Sequence, residues 1–100
     1  MRNIDRSEAD QLIADERTFI LDVRTPKEFK RTSLDRAKLI PVDELAQRLD
    51  ELPKVKSEPI LIYCAHGVRS VHGGQLLEKM GYTNLLNLRG GLAAYLGREP

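Results

Sequence analysis

The chain has 100 residues, 41% of them hydrophobic and 31% charged, with a formal net charge of +1. That length suits one domain, residues 1–100, able to bury roughly two thirds of its unfolded surface and so to fold without disulfides or metals. The charge balance gives no whole-chain signal for nucleic acid or membrane, and the longest apolar stretch, ILIYCA at 60–65, falls far short of the ~20 residues that span a bilayer. The N-terminus MRNIDRSEADQL lacks the apolar core of a secretory signal, and the one cysteine, Cys64, has no internal partner. These features lead to the expectation of a cytoplasmic domain with no nucleic-acid and no membrane partner.

A first strand is expected around Asn3 and Ile4. Ser7, with Asp10 three residues later, reads as a capping box and predicts a helix carrying Leu12 and Ile13 and ending near Asp15. FILDV at 19–23 is nearly continuous in apolarity, as a strand buried on both faces should be. Thr25, Pro26 and Glu28 combine an N-cap, a first-turn proline and a capping-box carboxylate, so a short helix bearing Phe29 starts immediately afterwards. AKLIP at 37–41 is a strand candidate closed by its proline. Leu45, Leu49 and Leu52 recur at helical spacing and predict a covering helix from Val42 to Leu52, and PKVKSEP at 53–59 is a polar connection. ILIYC at 60–64 is the second central strand. Val71, Leu76, Leu77 and Met80 predict a second covering helix from Val68 to Met80, ended by Gly81. NLLNL at 84–88 is a further strand candidate, followed by Gly90 and Gly91, after which Leu92, Tyr95 and Leu96 recur at the spacing of a helix packed on a sheet. Apolar and amphipathic runs thus alternate, which predicts a three-layer α/β domain with a mostly parallel sheet of about five strands.

Between the strand ending at Cys64 and the helix from Val68 lies CAHGVRS, and a connection needs none of its special residues. Cys64 would sit at the carboxyl end of a central strand, where open α/β sheets bind ligands. The amides of the following helix start have no helical partners, and Gly67 permits a backbone that a side chain would obstruct, so the loop reads as an anion cradle. Arg69 adds positive charge and, with the helix end, is expected to lower the thiol pKa. A fall of two pH units amounts to about 2.7 kcal/mol, whereas a helix terminus supplies about 0.3 to 1, so N–H donors and Arg69 must share that work. A lone cysteine closing an apolar strand is commonly a small buried hydrophobe; glycine, arginine and serine directly after it favour chemistry.

CAHGVRS resembles the loop of the rhodanese family: cysteine, two variable residues, glycine, one variable residue, arginine, then serine or threonine. LDVRTPKEF, IPVDEL and NLRGGLAAY resemble, in order, the segments after the second and third strands and the closing glycine pair, with tyrosine where an aromatic is usual. The resemblance implies a rhodanese-like fold and a sulfurtransferase of the thiosulfate type, in which Cys64 attacks a small anionic sulfur donor and holds the sulfur as a persulfide. A thiol or cyanide acceptor, or a protein thiol, then takes it. By resemblance, the backbone of Ala65, His66, Gly67, Val68 and Arg69 binds the transferred sulfur, Ser70 orients the loop, and Asp22, Arg24 and Glu28 support the site. No cofactor and no metal are implied. Four residues separate Cys64 from Arg69, one fewer than in the related cysteine phosphatases and arsenate reductases, which ranks those activities behind a non-catalytic interaction module as alternatives.

The segment TSLDRAK at 32–38 departs from the family pattern, and Ala65 stands where many thiosulfate enzymes carry arginine. His66 is read as a solvent-facing loop position outside the catalytic set, and His72 as helix surface. The six basic residues from Arg24 to Lys38 read as a solvated face that would attract anionic donors if it bordered the site. Cys64→Ser is expected to abolish transfer and leave the fold nearly intact, on the premise of an exposed loop side chain.

Overall fold

A computed structural model describes residues 1–100. Five strands form one parallel sheet: β1 Arg2–Ile4, β2 Phe19–Asp22, β3 Lys38–Leu39, β4 Ile60–Tyr63 and β5 Leu85–Leu88, in the order β1-β5-β4-β2-β3. The helices are α1 Arg6–Ala14, α2 Pro26–Arg31, α3 Val68–Lys79 and α4 Gly91–Leu96, with two 3-10 segments, Val42–Gln47 and Leu49–Glu51, between β3 and β4. Every residue of β4 and β5 is buried, as their near-continuous apolarity requires of strands covered on both faces.

Side chains alternate across the sheet, and each face has its own core. Ile60, Ile62 and Cys64 join Leu21, Val23, Leu45, Leu52 and Leu77 on the face covered by α3 and the 3-10 segments. Leu61 and Tyr63 join Ile4, Ala9, Ile20, Leu86, Leu88 and Leu92 on the face covered by α1 and α4. The three-layer α/β arrangement follows from that division, and Tyr95 and Leu96 pack on the second face as their spacing predicts.

Three elements differ from the sequence expectation. Asp5, not Ser7, caps α1: its Oδ1 accepts from the Glu8 amide at 3.0 Å, and its carbonyl accepts from Ala9. Asp5 directly follows β1, so the helix starts earlier than the Ser7 pattern suggests and Ser7 lies inside its first turn. Residues 42–52 are not an α-helix, because Val42 with Leu45 and Leu49 with Leu52 are two separate i,i+3 pairs, which eclipse in 3-10 geometry. The register restarts at Arg48, whose side chain bonds Glu44, Glu51 and the Leu39 carbonyl. In α3 the buried face is Ser70, Gly73, Gly74 and Leu77, while Val71 and Met80 are 36% and 40% exposed. A Cβ on Gly73 would lie 3.0 Å from Ile62 Cδ1, so the bare glycine backbone, and not Val71, meets the sheet.

Candidate active site

The parallel strands bring all their carboxyl ends to one edge of the sheet, where α/β folds bind ligands. Cys64 follows β4 by one residue, and α3 begins at Val68 with Gly67 as its N-cap. Gly67 has φ +97°, a left-handed conformation that curls the backbone so that successive N–H groups face one concavity. Cys64 lies at the floor of that curl and is 1% exposed, packed with the first core cluster. The premise of an exposed loop side chain is therefore corrected: the sulfur points inward because the alternation of β4 carries Cys64 to the α3 face.

Donors ring the sulfur. The Gly67 amide donates to Sγ at 3.0 Å and the Ser70 amide at 3.4 Å, and Ser70 Oγ lies at 3.5 Å. Burial pushes the thiol pKa up, but the Ser70 hydroxyl and the amides of Ser70, Gly67 and His66 outweigh it, leaving the thiol below its ordinary value. Ser70 is fully buried, so its hydroxyl works with little competition from water. Such an arrangement favours a thiolate and disperses negative charge on that sulfur.

Arg69 acts on Cys64 through space by its charge, as the sequence suggested, but shares that charge with a carboxylate. Its guanidinium forms a bidentate pair with Glu28 of α2, at 2.6 and 2.9 Å, so one carboxylate largely neutralises it. The Arg69 hydrogen bonds hold the Glu28 carboxyl down at about 2 despite partial burial, with help from the Thr25 amide. Thr25 and Glu28 complete the expected capping box, which orients the carboxylate. Glu28 is thereby joined to the loop.

Asp22 and Arg24 are joined to each other instead. Both are buried, and Arg24 Nη2 lies 2.8 Å from Asp22 Oδ2. Asp22 is in register with Tyr63, on the opposite face of the sheet from Cys64, so the pair does not bond the sulfur and acts on the loop through the charges of Glu28 and Arg69. Arg24 donates to the Thr32 carbonyl at 2.6 Å, and Tyr63 Oη accepts from the Leu34 amide at 3.0 Å. These bonds anchor the atypical 32–38 segment, and nothing in the sequence pattern signalled them.

Among the remaining loop residues, Ala65 is buried, Val68 is 66% exposed, and His66 faces outward with Nε2 2.9 Å from the Glu99 carboxylate. His72 is on the exposed surface of α3. The basic stretch does not form one face: Arg24 is buried, Arg36 bonds the carbonyls of Ile13, Asp15 and Thr18, and Lys38 pairs with Glu51. None of the four surface cavities is lined by a residue of the Cys64–Ser70 loop. Sequence reasoning also missed α4 as part of the site: the Leu92 amide bonds the Cys64 carbonyl at 2.8 Å and the Ala93 amide bonds that of Ala65 at 3.0 Å. The glycine pair before them was the only available signal.

Comparison with known proteins gives a consistent answer. The family model of the rhodanese-like domain matches residues 5–98. A sulfurtransferase of Allochromatium vinosum is 34% identical over 96 residues, covering 95% of this chain and 88% of its own length. The human thiosulfate:glutathione sulfurtransferase is 30% identical over 100 residues, covering 88% of this chain and 87% of its own. Among solved structures, a human single-domain sulfurtransferase superposes with a TM-score of 0.84 at 26% identity, covering 100% of this chain and 99% of that one.

Proposed function

This chain belongs to the rhodanese-like domain family, and we propose that it is a sulfurtransferase in which Cys64 carries sulfur as a persulfide. The observation that carries the reading is the sulfur of Cys64, buried at the carboxyl edge of the sheet and ringed by the amides of Gly67 and Ser70 and the Ser70 hydroxyl. A structural cysteine needs no such ring. The relatives named sulfurtransferases, which match nearly the whole chain, support the same activity.

The thiol proton leaves to solvent, and the Cys64 thiolate attacks the outer sulfur of thiosulfate. A new S–S bond forms as the old one breaks, and sulfite departs with the bonding electron pair. The negative charge now rests on the outer sulfur of the persulfide, within reach of the amides of Ala65 through Arg69, while Ser70 holds the loop. Cyanide or a thiolate then attacks that outer sulfur and returns the electron pair to Cys64, as thiocyanate or a new persulfide leaves. No net oxidation occurs, and no metal or cofactor enters the scheme.

Arg69 is paired with Glu28 and Ala65 is apolar, so the loop offers a dianionic donor little free positive charge. Weak binding of thiosulfate relative to its turnover is the expected kinetic signature.

The test is intact mass of reduced protein before and after thiosulfate treatment and desalting, followed by cyanide. A gain of one sulfur atom, removed by cyanide as thiocyanate and absent in Cys64→Ser, is the expected result. Sulfur transfer retained in Cys64→Ser, or no uptake from thiosulfate or from persulfide donors, refutes the proposal.

A further inference from the structure

On one side of the cysteine loop the Gly67 and Ser70 amides bond Sγ, and on the other the Cys64 and Ala65 carbonyls bond α4. A peptide unit is planar and trans, so the Ala65 carbonyl and the His66 amide lie in one plane and point in opposite directions. The same holds for the Cys64 carbonyl and the Ala65 amide. Both carbonyls are gripped from outside by α4: Leu92 N–H donates to Cys64 O at 2.8 Å, and Ala93 N–H to Ala65 O at 3.0 Å. First-turn amides lack acceptors within their own helix, and here the loop supplies them. Turning these carbonyls toward α4 turns the Ala65 and His66 amides the other way, to the side of the loop where the Gly67 amide bonds Sγ at 3.0 Å, and the His66 amide helps to lower the thiol pKa.

This grip requires α4 to approach the loop more closely than a side chain permits. Gly91, the first residue of α4, has φ +67°. A Cβ there would lie 2.4 Å from Ala65 O, 2.5 Å from Ala65 C and 2.6 Å from Cys64 O. These are backbone atoms of the loop itself, which have no rotamer to yield. Even the single carbon of alanine must therefore push the helix and the loop apart.

We propose that Gly91 is a positioning residue for the reaction, and that the first turn of α4 sets the inward tilt of the Cys64 loop amides by holding the carbonyls of Cys64 and Ala65. The proposal rests on Cys64 as the reacting thiol. It assigns Gly91, the second glycine of NLRGGLAAY, a role at the sulfur beyond that of a helix start. Gly91 acts only through the orientation of the loop.

The test is titration of the thiol by its ultraviolet thiolate absorbance in the full chain, for wild type, Gly91→Ala and Gly97→Ala. Gly97 is the control, since it shares the left-handed conformation at φ +72° but has no atom within 4 Å of its Cβ position. It reports the cost of backbone strain without crowding the loop. The expected result is a thiol pKa raised by about half a unit or more in Gly91→Ala, or about threefold less thiolate well below the pKa, and no change in Gly97→Ala. A folded Gly91→Ala that titrates with wild type overturns the proposal, as does an equal rise in Gly97→Ala. If Gly91→Ala does not fold, a backbone ester in place of the Ala93 amide, introduced by semisynthesis into the full chain, carries the test. It deletes the N–H that holds the Ala65 carbonyl without adding bulk, and an unshifted thiol in that variant overturns the proposal as well. Because the readout is the thiol and not sulfur transfer, failure of the sulfurtransferase reading registers separately, as wild-type protein that takes up no sulfur.

Discussion

Replacing Glu28 by glutamine isolates the ion pair that joins α2 to the cysteine loop. Glutamine keeps the shape and can still accept from the Thr25 amide, but it removes the charge opposite Arg69. The carboxyl falls from an ordinary 4.5 to about 2, and at ~1.36 kcal/mol per pH unit this caps its linked stabilisation at about 3.4 kcal/mol. The side chains are 26% and 34% exposed, so solvent screening reduces the expected contribution to about 1–2 kcal/mol. The sign follows from a folded-state pKa that is depressed. The contribution is fully present above the unfolded value of 4.5 and is lost as pH falls through that value toward 2, with about 60% gone by pH 3. Urea denaturation of wild type and Glu28→Gln at pH 7, 5 and 3 reads it directly. The variant should be less stable by about 1–2 kcal/mol at pH 7 and by less than half of that at pH 3. A deficit that stays the same at all three values, or none at pH 7, refutes the reasoning.

Ser70→Ala removes a buried hydroxyl from the sulfur and should raise the thiol pKa by about one unit, measured by the pH dependence of thiolate absorbance. An unmoved titration would mean that the amides alone hold the thiolate. Asp22→Asn leaves the buried Arg24 guanidinium without its counter-charge and should cost about 3–5 kcal/mol in urea denaturation, a large share of the stability of a domain this size. A loss under about 1 kcal/mol would show that water or the Tyr63 ring, 5.6 Å from the guanidinium, replaces the carboxylate. Cys64→Ser should stay folded yet measurably less stable in the same assay, because the side chain is part of the core and not of the surface.

The elements that position the site were legible in local sequence. FILDV and ILIYC announce buried strands because parallel strands covered on both faces have no polar side to show. Thr25, Pro26 and Glu28 announce α2 because caps act within a single turn. Where the reading slipped, side-chain spacing was competing with geometry beyond its reach. Leucines spaced by three and four fit an α-helix as well as two 3-10 turns, and Val71 fits a buried stripe until the glycines of α3 prove to be the contact.

The sequence by itself determined the fold class and singled out the candidate chemical centre. Periodicity and turn residues act over a few positions, and Cys64, Gly67, Arg69 and Ser70 lie within seven. Only the tertiary structure decided which way each group faces and what it meets. It placed Asp22 and Arg24 on the far side of the sheet, spent the charge of Arg69 on Glu28, and brought α4, nearly thirty residues downstream, against the back of the cysteine loop. The physical reason is that strand parity, ion pairing and backbone approach depend on contacts between distant segments, and a linear pattern does not encode the distance across them.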